Sequence, residues 1–531
     1  MKTKWKIILP LLASLCVLAG LFIGRWMYKS PSSSFYGDGS TPMDEVMQLA
    51  DREYTDSINT DTLSEAAIEA MLSLLDPHSV YIPKKDLQMV NDDMAGSFSG
   101  IGVQFNIQHD TVTIISVIHG GPSEKLGLLP GDRIISVDDK PFVGKNITNE
   151  LVVSTLRGKK GTKVKLGIHR SNSSKPLQFT IVRGDVPVKT VEASYMAAPG
   201  TGYVKISSFG EQTFAEFQTA LAQLQRQEAS RYIIDLRGNP GGYLDAVIKM
   251  VNEFLERGDM IVYTEGRSYP RQESRADGSG SFKGTPVAVL IDEWSASASE
   301  IFAGAIQDND RGVIIGRRSF GKGLVQQQYP LSNGAAVRLT IARYYTPSGR
   351  CIQKPYAKGD RSSYDLEVVE RFTHGELTNE DSVKNNKSQL YKTKKGRTVY
   401  GGGGISPDRF VGRDTTGYTP YFNKISEEGL LSDYAFRYAD SHRSELRTCK
   451  TWQSVLTYLQ RASLLKDFTI YAEKKGVKTD VGQVMKSSKL IEKQLFSLIA
   501  RDAMPDETFF YRIYNNDDAA IRLAIQELSK K

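Results

Sequence analysis

The sequence predicts a multidomain α/β protein. Its 531 residues are too many for one hydrophobic core, so about two to four domains are expected. From Gly202 to Gln326, short apolar β-branched runs alternate with stretches of helical apolar spacing, the order that builds a parallel or mixed layered sheet. A β-rich module with glycine turns precedes this region, and helical spacing with charged faces fills 416–531.

Composition narrows the function classes. At 40% hydrophobic and 24% charged the chain is an ordinary globular protein. Its net charge of +7 comes without a basic block interleaved with aromatics, so no nucleic-acid partner is expected. Cys16, Cys351 and Cys449 stand far apart, with no metal-ligand spacing and no disulfide framework, although a Cys351–Cys449 bridge stays open. No metal or cofactor is implied. The six histidines are scattered, and none lies near the serine-rich turn in sequence.

In order along the chain, 1–29 reads as a membrane anchor or signal segment. Lys2, Lys4 and Lys6 precede an apolar run of 18 residues from Ile7 to Gly24, near the lower limit for spanning a bilayer. No clean small-x-small site follows, so an uncleaved anchor is favoured over a cleaved signal; either way the remainder is exported. The lysines before the run favour an N-terminus inside, a bias that Arg25 and Lys29 after it dilute. A linker and a helical segment occupy 30–95, with helical spacing over Asp44–Leu75 that closes at Asp76-Pro77 and reads as a packing element.

Residues 96–184 form the β-rich module. Ser97–Phe105 opens it, Thr111–Val117 alternates like a strand, Gly121–Leu128 is a turn and short helix, Asn149–Leu156 a helix and Lys163–His169 a strand. This order resembles a PDZ domain. The glycines around Ile101 let the N–H groups of Gly100, Ile101, Gly102 and Val103 turn inward on a C-terminal carboxylate while the peptide adds as a strand. The plainer reading is that Gly100 and Gly102 only serve a hairpin.

The α/β core spans 185–415. Tyr232–Leu236 is a strand ending in Asp-Leu-Arg-Gly-Asn-Pro-Gly-Gly, Leu244–Glu256 is a helix, and Gly266–Ser281 reads as a polar loop. Val287–Ile291 is a buried strand, and the turn after it carries Ser295, Ser297 and Ser299 at alternate positions. Ser297-x-x-Glu300 is a capping box opening a helix just beyond a strand end, where open α/β sheets tend to place chemistry. Residues 355–400 read as a polar insertion or mobile surface segment.

The chemistry rests on a serine and a lysine. Serine is a poor nucleophile until a base takes its proton, and a lysine becomes that base when burial depresses its pKa. Ser297 and Lys322 lie on successive loops after two candidate strands, and Lys322 sits between Gly321 and Gly323. Gln326, four residues on, shares a face with Lys322 and is placed to orient it. Ala298 at the helix start and the Gly241-Gly242 turn offer backbone N–H groups for an oxyanion hole. Plainer roles compete: Ser297 as a helix cap, Lys322 as a solvated charge, Gln326 as one of three glutamines on a solvated strand, Gly241-Gly242 as a strand end.

These motifs, with Tyr345-Thr-Pro-Ser-Gly-Arg and Gly403-Gly-Ile-Ser-Pro-Asp, resemble the carboxyl-terminal processing (tail-specific) serine proteases from about Asp44 to Asp408. The resemblance implies a crotonase-like protease core with an inserted PDZ domain and helical N- and C-terminal segments. It implies a Ser297–Lys322–Gln326 site, an oxyanion hole from Ala298 and Gly241 or Gly242, and a PDZ domain that binds the substrate's C-terminus and gates the site. Arg157, in Leu156-Arg-Gly, matches a residue coupling that domain to the catalytic region. Substrates would be proteins or peptides with free C-termini. The setting would be the bacterial cell envelope, single-pass in the inner membrane with the catalytic part in the periplasm, or secreted if cleaved; a homo-oligomer or an adaptor stays open. Two other classes compete: a PDZ scaffold on an inactive α/β domain, and a crotonase-like acyl-CoA enzyme.

Overall fold

The structure is a computed structural model that describes residues 41–530, except 109, 119, 171, 172 and 174. The anchor expected over 1–29 lies outside the described residues; among these, no helix is long and apolar enough to cross a membrane. The chain divides into two units, Met1–Met71 and Leu72–Lys531. In the first, Thr41 caps the Pro42–Glu53 helix through a capping box with Asp44.

The second unit is built on a six-stranded sheet. Its order is Val191–Ala198, Thr201–Ile206, Arg231–Asp235, Val287–Ile291, Val313–Gly316 and Arg409–Phe410. The first pair is antiparallel and the others parallel. All five residues of Val287–Ile291 are buried, because the sheet is covered on both faces. Val287, Val289 and Ile291 share a core with the helices Thr213–Arg226, Leu244–Asn252 and Ala298–Asp308. Ala288 and Leu290 alternate to the other face and pack with Ala520, Ile521, Ala524 and Leu528. The last helix, Ala519–Ser529, is therefore a layer of the core, not part of a separate appendage as the spacing suggests. The helices from Pro420 to Ala503 do enclose a core of their own.

A second, antiparallel sheet centres on Ala336–Tyr345, which pairs with Leu324–Pro330 along one edge and with Val80–Ile82 and Met260–Gly266 along the other. The stretch 266–281, expected as a loop, supplies the outer strand Tyr269–Arg275. That strand is mostly exposed, so its polar sequence hid it. The 355–400 segment also departs from expectation. It forms the helix Arg361–Thr373, whose Tyr364, Val368 and Arg371 are buried.

Residues 103–182 fold as an antiparallel sheet with Val103–Gln108 at one edge, closed by the Asn149–Leu156 helix over Val112, Ile114, Ile134, Val164 and Ile168. The strands Ser97–Gly100 and Gly184–Pro187 pair as its two-stranded stem.

Candidate active site

Chain reversal at the end of Val287–Ile291 is forced through Ser297, which has φ 55° and ψ −113°. A non-glycine residue takes this conformation only when its surroundings impose it, as at the strand-to-helix turn of a nucleophile elbow. Here the neighbours are pinned to the Asp235–Gly242 loop. Ala296 N–H donates to the Asn239 carbonyl at 3.0 Å. Ser295 Oγ donates to the Leu236 carbonyl and Ser299 Oγ to the Asn239 carbonyl, each at 2.9 Å. Ser295 and Ser299 are fully buried while Ser297 is half-buried. Of the three alternating serines, only Ser297 is partly exposed.

Glu300, which the sequence presents as a capping partner, does more than cap. Its Oε2 accepts from Ser297 N–H and from Lys322 N–H, both at 2.8 Å. Its Oε1 accepts from Ser319 Oγ at 2.5 Å and Gly321 N–H at 2.7 Å. One fully buried carboxylate thus joins the serine turn to the lysine loop. Burial pushes the Glu300 carboxyl above its ordinary value, although these four donors oppose the shift.

Lys322 is half-buried, and among the described residues its ammonium makes no ion pair. Burial, helped by the nearby Arg338 charge, lowers its pKa below the ordinary lysine value; Glu300 and Asp76 oppose this. Gly321 and Gly323 are required beside it. Gly321 has φ +90°, and a Cβ on Gly323 would stand 2.8 Å from the Gln353 nitrogen.

Gln326 lies at a register shift between Leu324–Pro330 and Ala336–Tyr345, a bulge that re-aims its side chain. Its Nε2 donates to the His78 carbonyl at 2.5 Å. His78 reaches Gln326 through a long-range pairing that local sequence does not show, Val80–Ile82 with Ala336–Arg338.

Of the two expected glycine donors, one is taken. Gly241 N–H donates to Asn239 Oδ1 at 2.8 Å, so it is not an oxyanion donor. An asparagine accepting from the backbone two residues on is an Asx turn, and here it claims that donor. Gly241 has a different requirement: at φ +105°, a Cβ would lie 2.7 Å from Ser297 Cβ and 3.0 Å from Ala298 N. Among the described residues, the N–H groups of Gly242 and Ala298 donate to no backbone or side-chain acceptor.

In the β-rich module, Ile101 and Gly102 point their carbonyls at Ser123 N–H and Ile118 N–H, at 2.9 and 3.0 Å. Their own N–H groups meet no acceptor among the described residues. Gly102 needs its glycine, with φ +80° and a virtual Cβ 3.2 Å from Gly121 Cα. The loop leads from Gly100 into Val103 and the edge strand Val103–Gln108, whose outer side is open to an added strand. Arg157 follows the Asn149–Leu156 helix and stacks over the Phe98 ring of the stem at 4.3 Å. Among the described residues its Nη1 is buried without a hydrogen-bond partner, and the Phe98 ring it covers belongs to the stem, not to the serine turn. Cys351 and Cys449 are both free thiols, so the bridge left open by the sequence does not form.

Comparison with known proteins identifies the family. Residues 200–363 match the model of peptidase family S41, and 99–181 match the PDZ domain. Residues 421–505 match a family of unknown function. The chain is 35% identical over 345 residues to a carboxy-terminal processing protease CtpB of Bacillus subtilis, covering 64% of this chain and 71% of that protein. The chain belongs to the carboxy-terminal processing proteases of peptidase family S41. A carboxy-terminal-processing protease of Bartonella bacilliformis is 39% identical over 58% of this chain and 71% of its own length. Another from Bacillus subtilis, CtpA, is 33% identical over 68% of this chain and 79% of its own length. As a member of this family the chain is a serine protease carrying a PDZ domain.

Proposed function

We propose that the protein is an exported endopeptidase in which Ser297 is the nucleophile, Lys322 the general base and Gln326 the residue that orients the lysine. The observation that carries this reading is the Glu300 carboxylate, which accepts from the backbones of Ser297 and Lys322 on one oxygen. Neutral Lys322 takes the Ser297 proton as Oγ attacks a peptide carbonyl. Ala298 and Gly242 N–H groups, the former at a helix start, stabilise the oxyanion. Lys322 returns the proton to the leaving amine, and a water activated by the same amine then hydrolyses the acyl-enzyme.

The PDZ domain supplies the substrate's tail. The Gly100–Val103 loop holds the C-terminal carboxylate and the chain adds to Val103–Gln108, with Arg157 relaying occupancy to the stem. The core is crotonase-like, its oxyanion helix starting directly after a buried parallel strand. The basic flank and apolar run of 1–29 support an inner-membrane anchor that leaves the catalytic part in the periplasm.

Mass-spectrometric cleavage of a peptide with a free C-terminus tests the assignment. Activity should vanish in Ser297→Ala and in Lys322→Ala. Undiminished cleavage by both variants would contradict it.

A further inference from the structure

Two segments that the sequence gives no chemical role meet behind Lys322. The first is the Asp76–Ser79 turn. Asp76 Oδ1 accepts from His78 N–H at 2.8 Å, Ser79 N–H at 2.9 Å and Thr340 Oγ1 at 3.0 Å, and Oδ2 accepts from Ser79 Oγ at 2.6 Å. Ser79 Oγ also accepts from Thr340 N–H at 3.1 Å. Thr340 stands opposite Gln326 in the strand ladder. The turn is thereby fixed to the strand pair that carries Gln326, and its His78 carbonyl is where the Gln326 amide donates.

The second segment is the Arg361–Thr373 helix. Its Tyr364 hydroxyl lies 2.9 Å from His78 Nε2 and accepts from Gln353 Nε2 at 3.3 Å. Gln353 Oε1 in turn accepts from Gly323 N–H, beside Lys322, at 2.8 Å. A hydrogen-bonded arc therefore runs Gly323–Gln353–Tyr364–His78–Gln326, and the backbone from Gly323 to Gln326 closes it. The Tyr364 ring is held independently, edge-on to Phe320 at 5.8 Å and under the Lys354 ammonium at 4.1 Å.

We propose that Tyr364 and His78 are positioning residues for the Lys322–Gln326 pair, holding the lysine loop and the glutamine amide in one frame. This rests on the Ser297–Lys322–Gln326 reading above. With the tyrosine hydroxyl accepting from Gln353, its own hydrogen is directed to His78 Nε2, an arrangement that suits a neutral imidazole protonated on Nδ1. The surroundings favour that form. Burial first, then the Lys322 charge, holds His78 down to about 4; Arg361 and Lys354 act in the same sense and Asp76 against it. A neutral ring adds no positive charge beside the base. Lys322 itself is faced by Arg338, Glu300 and Asp76 as well as by this ring.

Tyr364→Phe deletes only the hydroxyl and keeps the ring packing. In the full chain it should lower kcat, counted per titratable Ser297, on the order of tenfold with KM unchanged. The ascending limb of its kcat–pH profile should move to higher pH as Lys322 is less well enclosed. His78→Gln, which spares the backbone carbonyl but removes the ring, should do the same and serves if the first variant does not fold. A purely structural role would lower Tm and the number of active sites, yet leave the limb and kcat per site in place. The proposal is overturned if both variants keep kcat per site within twofold of the parent, or if kcat falls with the limb unmoved. If instead Ser297→Ala and Lys322→Ala stay active, it is the catalytic assignment that fails; if they are dead while Tyr364→Phe behaves as the parent, only the positioning role fails.

Discussion

Ser297 and Lys322 donate their backbone N–H groups to the same atom, Glu300 Oε2, each at 2.8 Å. Their two nitrogens thus lie no more than twice that distance apart. The relationship fixes a strained serine turn against a glycine-flanked lysine loop without using the side chain of either residue. It also explains why Glu300 sits on the first turn of a helix whose residues are all buried. Glu300→Gln replaces one acceptor oxygen by a donor that faces N–H groups. Stability should fall by about 1–3 kcal/mol, the cost of leaving buried donors unpaired. Peptidase kcat should fall more steeply than the loss of folded protein explains, as read by chemical denaturation and single-turnover kinetics on the same preparation.

Gly241 and Gly242 should fail differently. Gly241→Ala drives a Cβ into Ser297 Cβ and the Ala296 carbonyl, at 2.7 and 2.9 Å. It should abolish both covalent labelling of Ser297 and turnover. In the mechanism proposed above, the Gly242 N–H acts only on the oxyanion. Depsipeptide or backbone-methylated replacement at 242, made by protein semisynthesis, should leave substrate binding intact and lower kcat by about 10²–10³, the usual worth of one oxyanion donor.

Several of these features were legible in the sequence and several were not. The strand–turn–helix around Ser297 follows from local pattern, since Val287–Ile291 is apolar throughout and Glu300 stands at capping distance. Which serine stays partly exposed is not local. It depends on Ser295 and Ser299 being bonded to a loop some sixty residues earlier. The commitment of Gly241 N–H was readable in principle, because Asn239 lies two residues before it in a turn sequence. The Arg361–Thr373 helix was hidden by its charge. Arg371 and Arg318 are each nine-tenths or more buried and share Glu376, at 2.9 and 2.7 Å. Charges so paired enter a core that composition assigns to water. The outer strand Tyr269–Arg275 is held by its ladder rather than by burial, so it leaves no apolar alternation to read.

Lys322 gives a pH signature with a definite sign. Its folded pKa is depressed below the ordinary value near 10.5. The unfolded chain therefore binds a proton that the native state resists, and stability rises as pH increases from the folded toward the unfolded pKa. Lys322→Met should be inactive yet raise Tm at neutral pH, with the gain shrinking toward pH 10.5. For the parent enzyme, kcat should climb with pH as Lys322 deprotonates and level off below the ordinary lysine range. Differential scanning calorimetry across pH checks the first statement and a pH–rate profile the second.

The PDZ loop makes a prediction about substrates. Because Ile101 and Gly102 offer unpaired N–H groups, amidating a peptide's C-terminus should lower kcat/KM by roughly tenfold to a hundredfold, the scale of a charge-assisted hydrogen bond. Arg157→Ala should lower cleavage of long, free-tailed substrates while sparing a short activated ester that reaches Ser297 directly. Paired assays on the two substrates separate these effects.

The most direct test of the account is the intact mass and peptide map of the enzyme after a brief reaction with an activated acyl ester near neutral pH. The account predicts one acyl group, carried on Ser297, formed by the parent and strongly suppressed in Lys322→Ala. An adduct on another residue, or equal acylation of Ser297 without the lysine, would contradict it.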